Sequence, residues 1–504
     1  MTGRLTWPTA LWLAAKGGRS DVVRIALTVC GSAIGTLALL VAATVISIRP
    51  DDGPYSIQVL EEQGLHVGVV IALVLLCIPV LAFVGQCSRV GAPARDRRLA
   101  AIRLAGGTPR DVARVACGEA AVAAGIGAVG GLAVYLVGRI VLGSPVLGTY
   151  TRITPLTGVQ PSTPSTELPV EGGVGISYEQ VTGPVLRLPT DVLPPLWVVV
   201  VLVLLIPVAA AAFSRLALRG VTISPFGVIR HRRIRPPRLL PAILFLVGVV
   251  ALASFATVTK AFDIDLSGVA APALAVLALF LLTSVGLVLG TAALAAGIGG
   301  LVAPRARRPA VLIAARRLAA DPFGASRAFG ALMLTVLIGA GAQGVRANIL
   351  VSTDPSNTFY RDTLDLVNLV IVVAVVVAAL GLLVVAAEGI VARRRSLAAL
   401  TAAGTPVGVL RRAVLTEALL PLLPTSLLAT TAGALAARGL LGTTFTETTF
   451  DSAGQPTSRI LSVPVPWAEL GVLVAGTLVV TLLITSVSLL FLRSSTDPSE
   501  LRAA

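Results

Sequence analysis

Two carboxylates, Glu119 and Glu417, stand within long apolar stretches of this 504-residue chain. A carboxylate in hydrocarbon is costly and is a functional candidate by default, able to relay a proton or to hold a neighbouring arginine. Each lies near one end of its stretch, beside Arg114 in the first case and Arg411 and Arg412 in the second. Snorkelling, or pairing with those arginines, satisfies them, so a structural role is expected ahead of a proton relay. Other chemistry is scarce. Cys30, Cys77, Cys87 and Cys117 lie in or beside apolar stretches and are too few for a disulfide framework. No CxxC or His/Cys cluster has zinc spacing, and His66 and His231 read as interfacial residues. No G-x-x-x-x-G-K-[ST], G-x-S-x-G or H-E-x-x-H motif is present. The chain therefore reads as a non-enzyme with no metal or cofactor of its own. If ATP drives it, a separate subunit binds the nucleotide.

The elements that hold these residues follow from composition. The chain is 55% hydrophobic and 13% charged, with a mean hydropathy of +0.91. Soluble domains carry roughly 25% charged residues, so a soluble enzyme, a disordered chain and a fibrous protein are excluded and a membrane is required. Ten stretches have the length of about 20 apolar residues that a bilayer demands. They fall near 23–48, 67–87, 113–142, 195–215, 239–259, 269–302, 326–349, 366–388, 409–438 and 467–492, and the sixth is long enough to hide a break. With the N-terminus in the cytoplasm, inner segments hold 31 of the 40 basic residues, while outer segments hold nine basic and 16 of the 25 acidic residues. This bias sets the orientation and an even helix count, placing both termini in the cytoplasm of an inner or plasma membrane. It also accounts for the net charge of +15 without nucleic acid. The first stretch follows Lys16, Arg19 and Arg24 and is expected to be an uncleaved anchor. Gly127-xxx-Gly131 and Gly286-xxx-Gly290 are expected helix-packing faces.

One segment occurs twice. Arg95–Glu119 reads RDRRLAAIRLAGGTPRDVARVACGE, and Arg393–Glu417 reads RRRSLAALTAAGTPVGVLRRAVLTE. Gly107-Thr108-Pro109 matches Gly404-Thr405-Pro406 at an offset of 297, whereas Glu119 meets Glu417 only after a shift of one residue. Leu99, Ile102 and Leu104 form a short apolar patch flanked by arginines, and Pro109 ends it. The expected element is a compact helix along the cytoplasmic membrane surface. Each copy lies between two apolar stretches. Each is also preceded by a basic amphipathic segment, Trp12–Arg24 in the first and Ala314–Arg327 in the second. The segment Arg215–Arg238 is a basic linker.

Basic cluster, short apolar helix, Gly-Thr-Pro, basic residues, Glu and a glycine-rich helix together resemble the FtsX-like permease domain of MacB-, LolCDE-, FtsEX- and BceAB-type ABC transporters. The resemblance covers about 1–216 and 310–504, each a four-helix unit, joined by a 217–309 linker with two helices. It implies an all-α polytopic membrane protein whose extracytoplasmic loops are small. The largest, about 143–194, is rich in Pro, Thr, Ser and Gly and too short for a sizeable separate domain. The resemblance further implies that loops 89–112 and 389–410 are coupling elements that dock an ABC ATPase, in two copies. The docking residues would be Arg95, Arg97, Arg98, Leu99, Ile102, Leu104 and Gly107 in one loop, and Arg394, Arg395, Leu397, Leu400 and Gly404 in the other. ATP and Mg would belong to that partner. The implied function is export or extraction of a hydrophobic or amphiphilic substrate such as a lipid, drug or antimicrobial peptide. The alternative is a module that transmits force or a signal to a kinase or a cell-wall hydrolase without moving cargo. The competing reading of the loop arginines is that they are only topology anchors on anionic lipid, and the double occurrence of the motif favours docking.

Overall fold

The computed structural model describes residues 22–49, 52–55, 104, 106, 108–156, 175–218, 240–262, 270–353, 358–450 and 456–490. The expected stretch at 67–87 and the segment Trp12–Ser20 lie outside them. Helix α1 is Val22–Ile46 and α2 is Pro109–Leu142. Their contact is made by missing side chains: a Cβ at Gly127 would stand 2.3 Å from the Val29 carbonyl oxygen, and one at Gly131 2.4 Å from that of Ala33. In lipid, close packing of this kind, rather than exclusion of apolar surface from water, drives helix association. Helix α3, Leu196–Leu218, closes this bundle through Ala120, Ala124, Ala128, Ile206 and Ala210.

The next stretch is not one straight span. Helix α4, Leu240–Ala253, breaks at Ser254 and turns by 60° into α5, Phe255–Ala261. Helix α6, Ala270–Val302, is continuous, so the length of the sixth stretch hides no break within it. Glycine again sets the approach, since a Cβ at Gly286 would lie 2.4 Å from the Phe245 amide nitrogen on α4.

After a 3-10 turn at Ala303–Arg305 come α7, Pro309–Ala320, and α8, Pro322–Val351. Then follow α9, Thr358–Ala392, α10, Arg394–Ala402, α11, Val407–Leu441, and α12, Trp467–Ser488. Leu332, Met333, Val336 and Leu337 of α8 form the largest core with Val375 and Ala378 of α9 and Leu422 and Ala429 of α11. The linking helices are built onto this second bundle: α6 packs on α8, and α4 lies so close to α11 that a Cβ at Gly439 would meet the Leu252 carbonyl oxygen at 2.3 Å.

Among the described residues, eight helices are long and apolar enough to cross a membrane, with the bent α4–α5 pair as a ninth candidate. The fold is all-α within the membrane, as expected. The connections between α2 and α3 and between α11 and α12 differ from the loops read from composition. Strands β1, Val146–Leu156, and β2, Gly175–Val185, pair antiparallel between α2 and α3. Strands β3, Thr444–Phe450, and β4, Pro456–Ser462, do the same between α11 and α12. Threonine and aromatic residues recur in three of these strands and favour extended backbone, a local signal that bulk Pro and Gly content hides.

Candidate functional site at the short helix between two spans

Helix α10 is anchored from beneath. Leu397 is 1% exposed and packs with Ile390, Leu410 and Leu489, and Leu400 and Val414 lie against the same cluster. Ser396, Ala399, Ala402, Ala403 and Gly404 remain exposed. Of the residues expected to dock a partner, Leu397 therefore points into the fold and holds the helix in place, and the outward edge is made of small residues. Arg394 and Arg395 open α10, and their side chains lie outside the described set. The helix ends at Gly404, whose φ of 89° favours glycine, while the Thr405 amide donates to the Leu400 carbonyl at 3.0 Å.

In the first copy, Arg95, Arg97, Arg98, Leu99, Ile102 and Gly107 lie outside the described residues. Leu104 is 69% exposed. Gly106 has a φ of 91°, the counterpart of Gly404. Two residues later Thr108 caps α2 in a capping box with Asp111, just as Pro406 occupies the N-cap of α11 two residues after Gly404. The structural register is thus an offset of 298, not 297. It brings Glu119 onto Glu417 without the one-residue shift, and in sequence it also aligns Arg95 with Arg393 and Leu99 with Leu397.

Glu417 receives two arginines. Arg393, just before α10, donates to Oε1 at 2.8 Å, and Arg317 of α7 donates to Oε2 at 3.4 Å. The carboxylate is only partly exposed, as are both guanidinium groups. Burial opposes the charge on Arg393, but the charge and hydrogen bond of Glu417, together with the charge of Asp321, outweigh it and raise its pKa above the ordinary arginine value. The expected partners Arg411 and Arg412 are instead exposed. They sit on the first turns of α11, whereas Glu417 faces the junctions of α7 and α10. One side chain thus ties together the helix before α8, the short helix α10 and the span α11. Glu119 is 8% exposed, and nearby Arg114 lies 3.6 Å from Asp111.

The far ends of the two bundles carry a second correspondence. Arg139 of α2 donates to the carbonyls of Val192 and Thr190, and Arg438 of α11 donates to that of Val463 at 3.5 Å. Val192 and Val463 each stand four residues before the first residue of the next helix, Leu196 and Trp467. Sequence reading missed both arginines, although each closes a long apolar stretch. It also missed the polar set at that end of the second bundle. There Gln343 donates to Asn368 at 2.7 Å, and Arg346 reaches Glu469 at 3.3 Å and Asp365 at 3.6 Å. No group of metal-ligating residues occurs among the described residues.

Residues 368–496 match the family model described as FtsX-like permease C-terminal, a segment running from α9 past α12 and including α10. Neither the curated proteins nor the solved structures provide a match.

Proposed function

We propose that this chain acts as an FtsX-like ABC-transporter permease, a reading supported by the family match over 368–496, and that α10 and its counterpart at 95–106 dock separate ATPase subunits and pass their movement to the spans. The observation that carries this reading is the mounting of α10. Its inner face is locked by Leu397 and the Glu417 ion pairs, and its outer edge is bare and made of small residues. A helix held in this way moves with α7 and α11 when it is pushed, whereas a floating loop would absorb the push. Small residues let a groove on the partner come close to the backbone. The chain itself hydrolyses nothing. Two ATPases act on one chain, and the cargo is hydrophobic or amphiphilic, extruded as the two bundles rock.

The test is to replace Ala399 and Ala402 with Asp and measure co-purification of the co-expressed ATPase. Both residues are exposed, so insertion into the membrane should persist while ATPase recovery falls by about tenfold or more, the effect of burying unpaired charge at an interface. Undiminished recovery would remove α10 from the interface. Transmission without cargo would appear as a docked ATPase whose hydrolysis no amphiphile stimulates.

A further inference from the structure

We infer that the groove between the end of α6 and the start of α7 binds the headgroup of an anionic phospholipid. The groove has a volume of about 600 Å³ and opens beside the 3-10 turn. Leu301, Val302 and Val311 give it an apolar floor, and Arg305, Arg307 and Arg308 stand around it. All three arginines are exposed. Arg305 uses one donor on the Leu301 carbonyl at 3.0 Å. None of the three has a carboxylate partner among the described residues. Three guanidinium groups over a short turn match an oxyanion with several acceptors, and arginine binds phosphate through paired N–H donors.

The apolar part of the site distinguishes a lipid from free phosphate. Leu301 is 66% exposed and Leu312, on the outward side of α7, is 39% exposed. Both lie next to the arginines, the arrangement that the border between headgroups and acyl chains demands. The position along the bundle agrees. Arg317 of α7 reaches Glu417, so the groove lies at the same end of the bundle as α10, where α6 completes its crossing and α8 begins the next. A headgroup here would hold α7, and through Arg317 the Glu417 pairs, against the membrane surface.

The experiment uses the full chain purified in detergent and native mass spectrometry with phosphatidylglycerol, phosphatidylcholine or inorganic phosphate. Phosphatidylglycerol should be retained over phosphatidylcholine. R305Q/R307Q/R308Q should lower that retention by at least about fivefold, roughly one arginine's attraction to an anionic surface, while leaving phosphatidylcholine unchanged. R305K/R307K/R308K should retain the preference, and Leu312→Gln should weaken lipid binding. Equal retention of the two lipids, unchanged retention in the glutamine variant, or displacement by millimolar inorganic phosphate would overturn the proposal. So would a glutamine variant that keeps the lipid and loses a co-expressed ATPase, which would assign the arginines to a protein partner. If the triple glutamine variant fails to fold, the single variant Arg307→Glu carries the same comparison.

Discussion

Glu417 shows why a charged residue is tolerated at the end of an apolar helix. Its two oxygens meet two arginines from different elements, and the trio is half-buried, so it is worth more than a surface pair. Removing one partner leaves charge in a poorly solvated place. Glu417→Gln should destabilise the purified protein by about 1–3 kcal/mol, between the values for exposed and buried pairs. Unfolding of the variant in detergent checks this. A double-mutant cycle with Arg393→Gln should return a coupling of at least about 0.5 kcal/mol, and strict additivity would show that the pair is idle. The raised pKa of Arg393 places its titration beyond the working range, so its contribution is present at every accessible pH. Arg393→Lys changes this. An unperturbed lysine gives up its proton near pH ~10.4, well below arginine, so in strong alkali the variant should lose this ion pair at a pH where the parent protein keeps it.

At the scale of elements, packing rests on glycine. A Cβ at Gly433 would lie 2.3 Å from the Leu337 carbonyl oxygen, backbone that cannot step aside. Gly433→Leu should therefore separate α8 from α11 at a cost of about 1–3 kcal/mol or more, read as a lower melting temperature of the detergent-purified chain. Gly476→Leu on α12, where a Cβ meets nothing, is the control. Such contacts were partly legible in sequence. Gly127, Gly131 and Gly286 fall on small-residue faces that the spacing marks, and the apolar lengths locate every span that the structure describes. Less legible was the break at Ser254, because nothing in its apolar surroundings punctuates the helix. The hairpins at 146–185 and 444–462 were hidden for a different reason: bulk Pro, Gly and Ser content averages over the threonines and aromatics that favour extended backbone in these short strands. The same limit applied to Glu417. Its neighbours in sequence were visible, but its partners, 24 and 100 residues away, were not.

For the whole molecule, the same local features recur at both ends of the two bundles. Gly106 with Gly404, Thr108 with Pro406, and Glu119 with Glu417 place equivalent elements at one end of each bundle. Arg139 and Arg438 latch equivalent elements at the other. With Cys30, Cys77, Cys87 and Cys117 replaced by serine, a single cysteine at Glu447 in the β3–β4 hairpin should react with an impermeant maleimide on intact cells, and one at Ala399 only after permeabilisation. The opposite pattern would invert the orientation. The proposed coupling requires the two short segments at 95–109 and 393–406 to be the places where an ATPase grips the chain. The most direct measurement replaces both with neutral Gly/Ser sequence, verifies insertion and quantifies the co-purified ATPase. The account predicts partial loss with either segment replaced and near-complete loss with both. An ATPase that stays bound to a correctly inserted chain lacking both would contradict it.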